Sequence, residues 1–147
     1  MNEHSFVKSV HRKLPIDLYK WKIHDSYTNG VPDAMYAGNK AILFIEYKYV
    51  PALPKIKTTP IKINLSKLQL QWLNNFVDMG HNVVVVVGTE NKNVLILQDK
   101  QWDKPVSKEN FLKKAVKPSD LSNFILNVCT NIEKPVRWSC LNLQIWT

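Results

Sequence analysis

The spacing of apolar positions in the first fifty residues predicts one helix followed by three strands. Apolar residues recur every three or four positions before the first proline, which indicates an amphipathic helix from Glu3 to Leu14. A looser alternation from Ile16 to His24 predicts a first strand, and Asp33 to Tyr36 would form a short second one. The branched and aromatic run from Ala41 to Val50 is typical of a buried third strand. The turn residues Gly38-Asn39 would join the second and third strands as a hairpin.

A second helix follows a proline-rich segment. From Val50 to Asn64 the chain contains three prolines and three lysines without a clean period, so we expect a long loop there. Ser66 is a candidate N-cap for a helix from Lys67 to Met79, which Gly80 would end. The apolar face of this helix is expected to consist of Leu68, Trp72, Leu73, Phe76 and Val77.

The valine run from Val83 to Val87 is typical of a strand buried on both faces, and Val94 to Leu97 would be its neighbour. Helical spacing returns from Ser107 to Val116 and from Ser119 to Ile132. Apolar and polar residues alternate from Trp138 to Trp146, which favours either a late strand or an interface segment. The order of helix, three strands, helix and strands predicts an α/β fold with a mixed sheet flanked by helices.

Composition bounds the class of protein. With 147 residues, of which 45% are hydrophobic and 22% charged, we expect one globular domain, with a core over about residues 3–97 and an extension of unassigned role over 98–147. No run approaches the roughly 18 apolar residues that a membrane span needs, and the first five residues do not resemble a secretory signal. We expect an intracellular, cytoplasmic protein with reduced cysteines, a disulfide between Cys129 and Cys140 being the less favoured alternative.

The charge indicates a polyanionic partner. The formal net charge is +8, from 20 Lys and Arg against 12 Asp and Glu. Basic groups displace condensed counterions from phosphates, so DNA or RNA is the partner we expect. A basic protein that binds nothing specific is the alternative. No acid occurs between Tyr47 and Val77, and the candidate nucleic-acid-binding residues of this stretch are Lys55, Lys57, Lys62 and Lys67.

Two carboxylates and one ammonium group stand out against this background. Asp33 follows a Gly30-Val31-Pro32 turn, and Glu46 and Lys48 share one face near the end of the apolar third strand. Because an unpaired buried charge is costly, charges at such a position have a partner, a ligand or a chemical role. In the simpler alternatives, Asp33 only forms a turn, and Glu46 and Lys48 are an ion pair of little energetic value.

In order and spacing these residues resemble the PD-(D/E)xK nuclease superfamily, and within it the VRR-NUC branch related to Holliday junction resolvases and small phage-encoded nucleases. The resemblance covers residues 3–88, and residues 98–147 lie outside it. The matching positions are Glu3 in the first helix, the Gly30 to Asp33 turn, the strand from Ile42 to Lys48, the helix start from Leu65 to Gln69, and the strand within Gly80 to Val87. The resemblance implies a restriction-endonuclease-like core.

The resemblance also implies a Mg²⁺ or Mn²⁺ ion. Asp33 and Glu46 would supply carboxylate ligands, and the backbone carbonyl of Tyr47 a third. Glu3 would contribute through a water or hold a second ion, or it is only a favourable negative charge near a helix N-terminus. The ion would activate a water and polarise the scissile phosphate.

Two further residues have implied catalytic roles. Lys48 would orient the attacking water and offset charge in the transition state. Gln69 would position Lys48 or the phosphate, the alternative being a solvated helix residue.

The sequence therefore predicts a Mg²⁺- or Mn²⁺-dependent DNA endonuclease, with branched DNA such as junctions or flaps, or duplex DNA, as substrate. We expect a homodimer, with the Trp138 to Trp146 segment or the terminal helices as candidate contacts. Two alternatives remain at this point: a nucleic-acid-binding module without catalysis, and a basic protein that binds an acidic host protein.

Overall fold

A computed structural model gives the structure of residues 1–131, which form an α/β fold around a five-stranded sheet. The helices are α1 (Glu3–Lys13), α2 (Lys67–Asp78), α3 (Lys108–Lys114) and α4 (Pro118–Cys129). The strands are β1 (Tyr19–Lys22), β2 (Ala34–Ala37), β3 (Ile42–Val50), β4 (Pro60–Ile61), β5 (Asn82–Thr89), β6 (Val94–Leu97) and β7 (Val106–Ser107). In the five-stranded sheet the strand order is β1-β2-β3-β5-β6. The predicted α/β class, with a mixed sheet flanked by helices, is confirmed. The restriction-endonuclease-like core stays a prediction.

The central strand β3 is longer than its neighbour β2, and this difference positions the candidate site. The antiparallel β2–β3 ladder ends at the pair Ala34 and Ile45, because β2 begins at Ala34. On its other side, β3 pairs in parallel with β5 as far as Val50 and Thr89. The last five residues of β3 therefore stay anchored to β5 while their other edge extends past the start of β2.

The two faces of the sheet are covered by different helices. Leu43, Ile45 and Tyr47 of β3 are buried in a core with residues of α1 and α4, whereas Phe44 packs on the opposite face with residues of α2 and α3. All five residues from Val83 to Val87 are buried, which confirms the strand covered on both faces. Consecutive β3 side chains thus point toward different helices, as the period of two requires.

The helix and strand predictions are confirmed to within a few residues, with two corrections. The segment from Val50 to Asn64 is not structureless, since β4 lies within it and pairs antiparallel with β7. Leu68 is 48% exposed and does not belong to the apolar face of α2. At 3.6 residues per turn, Leu68 lies about 140° around the helix from Leu73, the centre of the buried stripe, and therefore faces away from the core. Leu70 packs into the core instead.

The C-terminal predictions are only partly covered by the described residues. Helix α4 ends at Cys129, three residues before the predicted end, and the Cys129 thiol lies 3.7 Å from the carbonyl oxygen of Tyr36. The predicted segment from Trp138 to Trp146, and Cys140 within it, lie outside the described range. Across residues 1–131, no helix has both the length and the apolar character that crossing a membrane requires.

Candidate active site

The Asp33 side chain accepts a backbone hydrogen bond from β3 just beyond the end of the β2–β3 ladder. It immediately precedes β2, and its Oδ2 accepts a hydrogen bond from the Tyr47 N–H at 2.8 Å, where the backbone of β2 no longer reaches. The N–H and C=O of one strand residue face the same edge of a strand. The Tyr47 carbonyl therefore lies on the same edge as the Asp33 carboxylate.

The turn before Asp33 rests against the start of α2. Gly30 has φ +87°, and a Cβ on it would lie 2.6 Å from the backbone oxygen of Leu68. Only glycine combines this backbone conformation with so close an approach. Gly30 thus brings the turn that carries Asp33 next to Gln69, the residue that follows Leu68.

Glu46 is held by two donors on one of its oxygens. Its Oε1 accepts from Gln69 Nε2 at 2.7 Å and from Lys48 Nζ at 3.1 Å. The Gln69 side chain is itself fixed by a capping box, since its Oε1 accepts from the Ser66 N–H at 2.9 Å while Ser66 Oγ accepts from the Gln69 N–H. Glu46 is 1% exposed, and its Oε2 is buried without a hydrogen-bond partner among the described residues. That oxygen therefore has unused capacity to accept a hydrogen bond or to bind a cation.

The carboxylates at this end of the sheet resist ionisation. Burial, followed by the charge of Asp33, raises the pKa of Glu46 to about 7, against the opposing effect of Lys48. Burial also raises the pKa of Asp33 despite its hydrogen bond from Tyr47. Partial burial and then Asp33 raise the pKa of Glu3. Acids whose charges repel one another in a poorly solvated place are stabilised in their ionised form by a bound cation.

Lys22 and His4 belong to the same site, and the sequence analysis missed them. Lys22 pairs with Ala34 across the β1–β2 ladder, and its Nζ donates to His4 Nδ1 at 2.6 Å. Against the rise caused by burial, the charge of Lys22 lowers the pKa of both Glu3 and Asp33. In sequence Lys22 is one of several lysines near the N-terminus, and only the strand register identifies the one beside Asp33.

The donors fit a hard divalent cation. Within residues 1–131, no three His, Cys, Asp or Glu side chains are grouped closely enough to hold a metal ion by themselves. Mg²⁺, however, is commonly held by one or two carboxylates, with waters and substrate phosphates as its other ligands. Asp33, the unpartnered oxygen of Glu46 and the Tyr47 carbonyl are donors of that kind, and their joint binding of one ion stays a prediction. The role of Glu3, through a water or at a second ion, stays a prediction.

The four lysines predicted to bind nucleic acid lie on the surface. Lys55, Lys57, Lys62 and Lys67 are all exposed. The segment that carries the first three is anchored by the β4–β7 ladder and by the Glu109 N–H, which donates to the Lys57 carbonyl at 3.0 Å. Their contact with phosphates stays a prediction.

We expect Gly30→Ala to destabilise the protein by more than Gly80→Ala. Both glycines have nearly the same positive φ, +87° and +86°, but a Cβ at Gly80 meets nothing within 4 Å. Strain from the backbone conformation, about 1 kcal/mol, is therefore common to both variants. The additional clash with Leu68 should destabilise Gly30→Ala by about 1 kcal/mol more. Urea unfolding of the two variants measures the difference, and equal free energies of unfolding would contradict the proposed contact between the turn and α2.

The comparisons with known proteins show a similarity of fold alone. No protein-family model matches the chain, and no curated protein does. Among solved structures the chain is similar to Hjc, a Holliday junction resolvase from Archaeoglobus fulgidus, with 13% identity and a TM-score of 0.49 over 82% of this chain and 99% of that one. Both values are too low to assign the activity of that protein to this chain.

Proposed function

We propose that this protein is a metal-dependent DNA endonuclease that hydrolyses phosphodiester bonds with Asp33, Glu46 and Lys48. The proposal is carried by the buried Glu46 Oε2, which has no hydrogen-bond partner within residues 1–131 and lies in a carboxylate whose other oxygen is held by Lys48 and Gln69. A structural ion pair does not need an unsatisfied buried oxygen, because leaving one costs free energy. A carboxylate that binds a cation, by contrast, needs an oxygen that no protein group occupies.

The roles of the residues follow from their contacts. A bound Mg²⁺ or Mn²⁺ would supply an activated water and polarise the phosphate. Lys48 reaches Glu46 Oε1 from the same face of β3, so its ammonium group lies where it can orient a water and offset charge on the phosphate. Gln69 keeps Glu46 in place and is a positioning residue, since both ends of its amide are already occupied by protein groups.

DNA is the proposed substrate because cations approach the acids from both faces of the sheet. Lys48 lies on the face of α2, and Lys22 lies on the face of α1. A phosphodiester backbone that crosses the end of β3 would meet one cation on each side. The preference for junctions or flaps rests on the resemblance to the VRR-NUC branch. The homodimer is proposed because cutting two strands needs two sites and symmetric dimers are the commonest oligomers.

Cleavage assays on defined substrates test the proposal. We expect the protein to cut linear, nicked, flap or four-way-junction DNA in Mg²⁺ or Mn²⁺, with the branched substrates cut fastest, and to cut none of them in EDTA. Asp33→Asn, prepared in parallel, should be inactive, because it weakens the metal site without changing the size of the side chain.

The same variant separates catalysis from simple binding. By calorimetry the wild-type protein should bind Mg²⁺ and Asp33→Asn should not. DNA binding without cleavage on any substrate, together with no Mg²⁺ signal, would contradict the proposal and favour a nucleic-acid-binding module. DNA affinity that is independent of salt would favour an acidic protein partner, since phosphate contacts give a steep salt dependence.

A further inference from the structure

A cavity of about 450 Å³ lies on the α1 face of the sheet, behind the candidate active site. Phe6 of α1 and Tyr49 of β3 form part of its wall, with ring centroids 6.0 Å apart and planes inclined at 41°. Tyr49 directly follows Lys48 and points to the opposite face of β3. Pockets that hold small ligands are typically about 300–1,000 Å³, so the volume is suited to one.

The position of the Phe6 ring depends on a glycine, Gly88, in β5. A Cβ on Gly88 would lie 2.6 Å from the Phe6 ring, so glycine is needed for the ring to sit so close to the sheet. Phe6 also packs edge-on against Tyr47, with centroids 5.8 Å apart. The aromatic wall is therefore formed before any ligand binds.

The polar groups of the cavity resemble those that recognise a nucleotide. The Tyr49 hydroxyl is buried and has no hydrogen-bond partner among the described residues, so it can donate to or accept from the edge of a base. Lys13 and Lys92 line the cavity and can pair with a phosphate, and the Glu90 carboxylate can accept from an exocyclic amine. Phe6 is only 5% exposed, so the ring that can stack on a base is that of the half-buried Tyr49. Such stacking is largely independent of sequence.

We propose that this cavity receives one unpaired nucleotide of the DNA next to the cleaved phosphate, between Tyr49 and the two lysines. The choice of ligand rests on the proposed nuclease function. Lys48 and Tyr49 are consecutive in β3, so a strand at the active site can pass a neighbouring nucleotide around the end of the sheet into the cavity. A nucleotide freed from base pairing, as at a flap or a junction, enters at a lower cost than one in a duplex.

A binding assay in EDTA tests the cavity without requiring cleavage. The probe is a single-stranded tetranucleotide that contains 2-aminopurine, whose fluorescence falls when the base stacks. We expect the wild-type chain to quench it, Tyr49→Phe to bind it about five-fold more weakly through loss of one hydrogen bond, and the cavity-filling Ser9→Trp to bind it at least ten-fold more weakly. Tyr27→Phe, at a tyrosine that is 96% exposed, is the matched control and should bind as the wild type does.

Thermal unfolding of the same variants completes the test. Because the Tyr49 hydroxyl is buried without a partner among residues 1–131, Tyr49→Phe should unfold at the same temperature as the wild type or higher, although it binds the probe more weakly. The proposal is overturned if the wild type does not quench the probe, if Tyr49→Phe and Ser9→Trp bind it normally, or if Tyr49→Phe loses stability together with affinity. Quenching in a protein that never cuts DNA would leave the cavity proposal standing and remove the nuclease proposal.

Discussion

Lys48→Ala should reduce the rate of DNA cleavage by about 10²- to 10³-fold, the usual loss when one preorganised electrostatic group is removed from an active site. The change removes the ammonium group that contacts the Glu46 carboxylate on the α2 face, 3.1 Å from its Oε1. DNA affinity should fall only slightly, because one cation among the 20 Lys and Arg residues is lost. The loss is therefore expected in the rate of the cleavage step and not in DNA affinity. Single-turnover cleavage of a flap substrate in Mg²⁺, at several enzyme concentrations, measures both quantities.

Two variants make this result specific to the site. Lys40→Ala removes an exposed lysine in the turn between β2 and β3, at the other end of the sheet, and should cleave at the wild-type rate. Lys48→Arg keeps the charge but changes its shape, so it should recover only part of the lost rate. Wild-type cleavage by Lys48→Ala would assign Lys48 to a structural ion pair and leave the nuclease proposal without its catalytic lysine.

The parts of the site that were predictable from sequence are those encoded by local patterns. The alternation of β3 places Glu46 and Lys48 on one face, and the Gly-x-Pro-Asp turn places Asp33 before a strand. Ser66 and its helix follow from capping preferences. Each of these predictions depends on residues close together in the chain, for which spacing alone determines the geometry.

The residues that sequence reasoning missed depend on pairings between distant segments. Lys22 reaches the site only because β1 pairs with β2 in the register that sets it opposite Ala34, and His4 joins it from the start of α1. The two-residue strands β4 and β7 pair across more than forty residues and have no period of their own. The double role of Gln69 likewise requires β3 and α2 to be adjacent.

The pKa of Glu46 gives the site a characteristic dependence of stability on pH. Its pKa is raised from 4.5 to about 7 in the folded protein, first by burial and then by Asp33. Between these two values the folded state holds a proton that the unfolded state releases, so the free energy of unfolding falls as pH rises through this window. Below about pH 4.5 Glu46 does not lower the free energy of unfolding, because it is protonated in both the folded and the unfolded state. The raised pKa values of Asp33 and Glu3 act in the same direction.

Glu46→Gln should remove most of this dependence and make the protein more stable than the wild type above pH 7, by about 3 kcal/mol if the whole shift is recovered. The glutamine side chain is nearly the same size as that of glutamate and carries no charge to desolvate. The measurement is urea unfolding in EDTA at intervals from pH 5 to pH 8, with Glu109→Gln, an exposed glutamate on α3, as the control that makes the same chemical change on the surface. If the wild type and Glu46→Gln follow parallel curves, Glu46 ionises in the folded protein without cost. The site would then lack the electrostatic strain that a bound cation relieves, and metal binding at Glu46 would rest on its unpartnered Oε2 alone.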